Sequence, residues 1–367
     1  MFGRLKISEA AVLDALRQVH DPDLHQDIVS LGFVKDLKIQ GSDVSFKVEL
    51  TTPACPVKDQ LKAECSEKVS QIPGVKNVEV EMTANVRSQR AGAEQVALPE
   101  VKNIVAVASG KGGVGKSTMA INLALALKKC GAQVGLLDAD VYGPSMAMMF
   151  GLSGRPTVNE RRKIDPLVGY DIKVLSMGFL NEGDKPVIWR GPMVHGLLKQ
   201  FLQDAEWGAL DYLVVDLPPG TGDAQLSISQ LVPISGAVIV TTPQDISLID
   251  ARKGLKMFQQ MRVPVLGIVE NMSYFICTSC GHRHEIFRHG GGRRTAEELG
   301  VPFLGEVPID PEVVVGGDQG VPIVERNPES PAAKAYVQVA GQVAAQLSIL
   351  SAGEGAAPGM PPPLKWQ

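Results

Sequence analysis

Cysteine is scarce in this sequence: there are five in 367 residues, an odd number. That count excludes a disulfide scaffold and makes a reducing compartment the default. Charge of one sign is lacking too. Lys and Arg number 36 against 40 Asp and Glu, for a net charge of −4. Such a balance argues against a dedicated nucleic-acid binder, which carries a basic excess. No apolar run reaches the roughly 18 residues that a membrane-spanning helix needs. The opening stretch, MFGRLKISEAAVLDAL, mixes charge among its apolar residues and lacks the apolar core of a secretory signal. Together these absences predict a soluble, cytoplasmic protein with neither a membrane nor a nucleic acid as partner. What is present is ordinary. A 44% share of hydrophobic residues and 21% of charged ones suffices for packed cores, and the length suits two or three domains.

Residues 1–85 read as a small α+β unit. Ser8 is placed to cap a helix whose apolar positions are Ala11, Val12, Leu13, Leu16 and Val19, and Asp21-Pro22-Asp23 stops it. Val44–Leu50 alternates as VSFKVEL, the pattern of a half-buried strand. A helical stretch near Val57–Ile72 ends at Pro73-Gly74, and Val75–Met82 reads as a further strand. Residues 86–100 lack apolar periodicity and are expected to be a linker. From residue 101 to 350, short apolar runs (IVAVAS, VGLLDAD, YLVVDLP, AVIVTTP, VLGIVEN) alternate with helical stretches. Runs of this kind are strands buried on both faces, so the expected fold is α/β with a mostly parallel, doubly wound sheet. The Gly/Pro-rich residues 351–367 are expected to be disordered.

The strand Ile104–Ala108 runs into Gly110-Lys111-Gly112-Gly113-Val114-Gly115-Lys116-Ser117-Thr118 and then an apolar helix. This is G-x-x-x-x-G-K-[ST] in its strand–loop–helix context, a phosphate loop. Glycines let backbone N–H groups converge on phosphate oxygens, and the helix N-terminus adds partial positive charge. Lys116 should reach the β- and γ-phosphates and Ser117 should ligate Mg²⁺. The same letters contain G-x-G-x-x-G, but Gly-Lys-Ser favours a nucleoside triphosphate over a dinucleotide. Two acidic strand ends complete the pattern. Leu136–Asp140 places Asp138 and Asp140 where α/β sites lie, Asp138 being as well suited to a structural hydrogen bond as to catalysis. Tyr212–Val215 ends at Asp216, which fits a carboxylate holding Mg²⁺ through water, and Gly220 offers a flexible N–H near the γ-phosphate.

Cys277 and Cys280 stand three residues apart, followed by Gly281. Two thiolates at this spacing can grip one metal centre, and a redox dithiol, a zinc knuckle and an iron–sulfur site all use it. Zinc has its own support, because His282 or His284 could complete a site within one chain. An iron–sulfur cluster needs four cysteines, of which this pair is half; a symmetric dimer would supply the rest at its two-fold axis. Arg283, Arg288, Arg293 and Arg294 lie nearby and either balance an anionic cluster or form a solvated basic loop.

Lys111 near the start of the loop makes it resemble the deviant phosphate loop of the MinD/ParA/nitrogenase-reductase class, in which the extra lysine contacts phosphates across a homodimer. The strings GKGGVGKST, LDADVYGPS, WGALDYLVVDLPPGTGD, TTPQD and ENMSYFICTSCGHRHEIF extend the match. On these residues the chain resembles the Mrp/ApbC family of iron–sulfur cluster carrier ATPases. That resemblance implies a homodimer that binds Mg²⁺ and ATP, hydrolyses ATP slowly, holds a [4Fe–4S] cluster on Cys277 and Cys280 of both subunits, and passes it to apo-proteins. It implies that Lys111, Lys116, Asp140 and Asp216 serve hydrolysis, with Asp140 orienting the attacking water. It further implies that Asn271 reads the base and that Pro243 and Asp245 lie near base and ribose. HDPDLHQDIVSLGFV and TTPACP make residues 1–85 similar to SufT/PaaD-like assembly domains, where Cys55 would either handle clusters or pack. Rival readings are a MinD/ParA-like positioning ATPase, a nitrogenase-reductase-like electron donor, and an ATPase switch with structural zinc.

Overall fold

The computed structural model describes residues 7–88, 98–140, 143–180, 191–222, 225 and 231–354. The chain divides into two compact units, one of residues up to 87 together with the end of the last helix from Ala344, the other of residues 88–343.

In the small unit the Ser8 hydroxyl accepts the Ala11 N–H at 3.2 Å and opens α1, Glu9–Leu16. The helix stops before Val19, shorter than its apolar spacing predicts. Asp21 explains the end: its carboxylate accepts the N–H groups of Asp23 and Leu24, both at 2.9 Å, and turns the chain. A three-stranded sheet follows. β1, Val34–Gln40, pairs antiparallel with β2, Asp43–Leu50, and β3, Asn77–Ala84, pairs parallel to β2. The parallel pair requires a crossover, supplied by α2, Lys58–Ser70. Along β2 the inward residues Val44, Phe46, Val48 and Leu50 meet Val12 and Leu16 of α1 and Leu61, Cys65 and Val69 of α2 in one core.

In the large unit nine strands form one sheet. Seven carry the argument below, together with a hairpin strand and an edge strand. They are β4 Val101–Ser109, β5 Val134–Asp138, β6 Leu167–Gly169, β7 Ile172–Ser176, β8 Leu210–Asp216, β9 Gly236–Thr241, β10 Val265–Ile276, β11 Arg283–His284 and β12 Phe303–Ile309. Their order is β6-β7-β5-β8-β4-β9-β10, with both β11 and β12 paired to β10. All pairings are parallel except β6 with β7 and β10 with β11. The mostly parallel α/β architecture expected from the apolar runs is present. The chain builds outward in both directions from β4, so the crevice at the carboxyl ends of β4, β5 and β8 is the switch point where such sheets bind ligands.

α3, Lys116–Lys129, follows β4 directly, and its residues from Met119 to Leu127 are all buried. A helix apolar on all sides belongs inside a large domain, and this one holds the phosphate loop on a rigid support. Four further helices bear on the site: α4 Asp245–Gln260, α5 Gly291–Leu299, α6 Pro311–Asp318 and α7 Pro331–Glu354. The disordered tail expected from residue 351 begins too early. α7 runs to Glu354, and the Ser348 and Ser351 hydroxyls donate back to the Ala344 and Ser348 carbonyls along its last turns. Residues 355–367 of that tail, and residues 89–97 of the expected linker, lie outside the described residues. No helix among the described residues is long and apolar enough to cross a membrane.

Candidate functional site

The phosphate loop sits where its letters place it, between β4 and α3. Gly113 and Gly115 have φ of +79° and +80°, the left-handed region that favours glycine. Gly110 is glycine for want of space: an added Cβ would lie 2.1 Å from the Asp250 backbone carbonyl carbon of α4. Gly112 faces open space. The Ser109 hydroxyl donates to the Lys111 carbonyl at 2.8 Å and fixes the loop's first turn, with Lys111 itself partly exposed. Val114 is buried beneath the loop, and Ser117 and Thr118 are partly exposed on the first turn of α3.

Register brings the acids to the loop. Asp216 is opposite Asp138 on one side and Val107 on the other. Lys116 is 6% exposed; its Nζ lies 2.6 Å from Asp216 Oδ1, 3.5 Å from Asp140 Oδ2 and 3.4 Å from Ser117 Oγ. Asp216 is fully buried, and burial raises its pKa against the opposing pull of Lys116. Its Oδ2 has no hydrogen-bond partner. A buried carboxylate oxygen without a donor, beside a hydroxyl and an ammonium at a phosphate loop, suits a hydrated Mg²⁺ accompanying a nucleotide. The donor set therefore fits the metal expected from the sequence.

Asp138 resolves toward its structural alternative. One of its oxygens accepts the Asp140 N–H at 3.0 Å and the other the Ser176 hydroxyl at 2.7 Å; that hydroxyl in turn accepts the Gly178 N–H at 2.9 Å. Asp138 thus aims Asp140, whose carboxylate remains at the mouth of the site, 7% exposed. Burial, and then the neighbouring Asp216, push the Asp138 carboxyl up to about 7. Gly220 has φ +95°, and its N–H is engaged by the Ser109 carbonyl at 3.0 Å rather than offered to a phosphate.

Asn271 lies on the other side of the loop. Its Nδ2 donates to the Val114 carbonyl at 2.8 Å, and an added Cβ on Gly115 would fall 2.2 Å from that nitrogen. The amide nitrogen therefore holds the loop. Asn271 also borders a largely apolar cavity of about 450 Å³ that begins at Gly115 and Thr118 and is walled by Met148, Met272, Pro308, Ile309, Val313 and Tyr336. A cavity of this size and lining, opening from a phosphate loop, suits a nucleoside. Most of that wall was missed by the sequence reading. Pro243 and Asp245 are not part of it. The Pro243 carbonyl packs against Gly291, and Asp245 opens α4 and pairs with Arg288 at 2.7 Å beside a separate depression.

The cysteines sit on a hairpin at the end of β10. β11 returns antiparallel, Ile276 opposite Arg283 and Phe275 opposite His284. Between them Gly281, at φ +71°, closes a tight turn: its N–H donates to the Cys277 carbonyl at 2.8 Å and the Cys277 N–H to the His282 carbonyl at 2.9 Å. The backbone N–H groups of Ser279 and Cys280 point at the Cys277 sulfur and lower its pKa, so the turn favours a thiolate. Cys280 is exposed. Among the described residues no third His, Cys, Asp or Glu side chain joins the pair as a metal shell. The His282 and His284 rings instead stack edge to face at 4.7 Å. The nearby arginines have protein partners. Arg283 covers the Tyr274 ring at 3.7 Å and lies 3.3 Å from Glu306, Arg293 lies 3.6 Å from Glu306, and Arg294 donates to the His289 carbonyl at 3.3 Å.

Of the other cysteines, Cys65 is buried and Cys55 and Cys130 are part-buried. Burial raises the thiol pKa of Cys65 to about 12 and that of half-buried Cys55 to about 11. Cys130 closes α3.

The loop, the two carboxylates and the parallel sheet define a P-loop NTPase. Residues 100–344 match the family described as NUBPL iron-transfer P-loop NTPase, and residues 9–82 match that described as iron–sulfur cluster assembly protein. The chain belongs to this iron-transfer P-loop NTPase family, with an iron–sulfur assembly domain ahead of it. It is 52% identical over 344 residues to the iron–sulfur cluster carrier protein of Synechocystis, covering 92% of this chain and 98% of that protein. Among solved structures, it resembles a nucleotide-binding protein from Archaeoglobus fulgidus in complex with ADP. The two are 41% identical with a TM-score of 0.55, over 61% of this chain and 88% of that one. The cell-division ATPase MinD of Pyrococcus furiosus is 25% identical with a TM-score of 0.50, over 66% of this chain and 98% of its own.

Proposed function

We propose that this chain is an ATP-hydrolysing iron–sulfur cluster carrier, acting in the cytoplasm as a homodimer that holds a [4Fe–4S] cluster and delivers it to apo-proteins with the help of cluster-assembly factors. The observation that carries the reading is the hairpin of β10 and β11. It presents two thiols, one of them biased to thiolate, and among the described residues no third ligand from the same chain joins them. Half of a Cys₄ shell on an exposed turn is completed by the same turn of a second copy. A zinc knuckle within one chain would need His282 or His284, whose rings stack on each other and, for His284, on Phe275.

In this proposal Lys116 binds the β- and γ-phosphates, and its ammonium exchanges Asp216 for phosphate oxygens. The backbone N–H groups from Gly110 to Thr118 cradle the phosphates, and Asn271 with the apolar cavity takes the adenosine. Ser117, and Asp216 through water, would hold Mg²⁺, which would supply charge neutralisation at the phosphates. Asp140, aimed by Asp138, orients the attacking water, and Lys111 reaches the nucleotide of the partner. Hydrolysis by one chain alone is slow, because positioning and charge are incomplete until the second subunit closes the site.

Anaerobic reconstitution with iron and sulfide tests the reading. About four iron and four sulfide per dimer are expected for a single cubane cluster, lost in Cys277→Ala/Cys280→Ala. Zinc without iron, or iron retained by the double variant, refutes the bridging cluster.

A further inference from the structure

The segment that carries Cys277 and Cys280 leaves and rejoins the sheet at one buried side chain. Glu270 on β10 is 0% exposed. Its Oε1 accepts the Ser273 hydroxyl at 2.6 Å, where the cysteine hairpin begins, and the Gly290 N–H at 3.0 Å, where the segment returns. Its Oε2 accepts the Gly292 N–H in the first turn of α5. The glycines are required by this closure. Gly290 has φ +75°, an added Cβ on Gly291 would lie 2.8 Å from the Pro243 carbonyl oxygen, and one on Gly292 would lie 3.0 Å from the Glu270 Cβ.

The residue after Glu270 is Asn271, whose amide holds the Val114 carbonyl of the phosphate loop. Between Asn271 and the hairpin, β10 bulges. Four residues from Asn271 to Phe275 pass two on β12, from Val307 to Ile309, and Met272 in that bulge has φ +55°. A left-handed methionine persists only where its surroundings hold it, and bulges re-aim the strand that contains them. Here the Ser273–Glu270 hydrogen bond closes the bulge. We infer that Glu270 is a positioning residue that locks the cysteine-bearing segment to the nucleotide loop, so that nucleotide at the phosphate loop alters the reactivity of Cys277 and Cys280. The inference rests on the carrier reading for its purpose but not for its test.

The experiment uses the metal-free full chain under anaerobic conditions. Iodoacetamide labelling rates of Cys277 and Cys280 are resolved by peptide mass spectrometry, with and without Mg-ADP or a non-hydrolysable ATP analogue. In the wild type, nucleotide is expected to change the rate about five-fold, the lower end of ordinary coupling between sites. In Glu270→Gln one acceptor oxygen becomes an amide NH2, a donor set against a backbone N–H donor of Gly290 or Gly292. In Ser273→Ala the bulge loses its closing bond. Both ratios should fall to near one, with nucleotide still bound, and Ser273→Thr should restore the response. A merely structural role would speed labelling equally in both states and leave the ratio unchanged, which overturns the inference. A wild type whose labelling ignores nucleotide overturns it as well. If Glu270→Gln fails to fold, the Ser273 pair decides. Failure to load iron with an intact thiol response would sink the carrier reading and leave the lock standing.

Discussion

Replacing Gly115 by Ala probes the loop at its tightest point. Two costs are legible in the structure. The first is conformational: at φ +80° an alanine is left-handed, at roughly 1–2 kcal/mol. The second is steric: the new Cβ would fall 2.2 Å from Asn271 Nδ2, so the amide must leave the Val114 carbonyl. Losing that buried hydrogen bond costs about 1–2 kcal/mol. The sum, about 2–4 kcal/mol, lowers the melting temperature of a domain this size by roughly 5–15 °C. Only the first cost survives once Asn271 is alanine. A double-mutant cycle between Gly115→Ala and Asn271→Ala should therefore return a coupling of about 1–2 kcal/mol, measured without nucleotide by calorimetry on the transition of the large unit. Gly112→Ala is the control, because an added Cβ there meets nothing within 4 Å; it should stay within about 0.5 kcal/mol of wild type. Costs for Gly115→Ala that match the control, or that are the same in both Asn271 backgrounds, would refute the reasoning.

Three further outcomes are expected. Burial and the neighbouring Asp216 push the Asp138 carboxyl up to about 7 in the fold, above the usual carboxylate range. A raised carboxylate binds its proton more tightly when folded, so its contribution to stability falls as pH rises from about 4 to 7. Asp138→Asn should flatten that slope in urea unfolding and melt higher than wild type at pH 8; an unchanged slope counts against the assignment. Lys116→Met should abolish nucleotide binding in equilibrium dialysis and destabilise by about 3–5 kcal/mol near neutral pH, since it strands Asp216 without its partner; retained nucleotide affinity would show that another group carries the phosphates. Ser176→Ala frees one oxygen of Asp138 and loosens the aim of Asp140, so turnover of ATP should drop about ten-fold or more with KM little changed. A KM effect alone would place Asp138 in binding.

The sequence disclosed those parts of the site whose chemistry is local. A phosphate loop is a run of local requirements, and Gly113, Gly115, Lys116 and Ser117 meet them within five successive positions. Asp216 was equally visible, as an acid that ends an apolar strand. The nucleoside cavity was not, because its wall is assembled from segments near Met148, Met272, Ile309 and Tyr336 that only the sheet brings together. Asn271 touches Val114 across 157 residues of chain, a contact that no local pattern encodes. The role of Glu270 was hidden for a different reason. An acid inside an apolar run reads as an interruption until Gly290 and Gly292 are seen to donate to it. α1 ended early because a turn built on Asp21 outweighed an apolar residue, Val19, at helical spacing.

Asn271 lies on β10 and the cysteine pair on the turn that leaves its end, and this makes the length of chain between them a specification in its own right. Successive side chains of a strand point to opposite faces. Phe275 and Ile276 are in ladder with β11, so removing or adding a single residue between Phe275 and Cys277 would turn the first thiol to the other side of the hairpin. Substitutions at Tyr274, Phe275 and Ile276 can exchange one β-forming side chain for another and keep both ends in place. Insertions cannot. Homologous chains that preserve this device should therefore differ freely in the letters of the spacer while keeping its count.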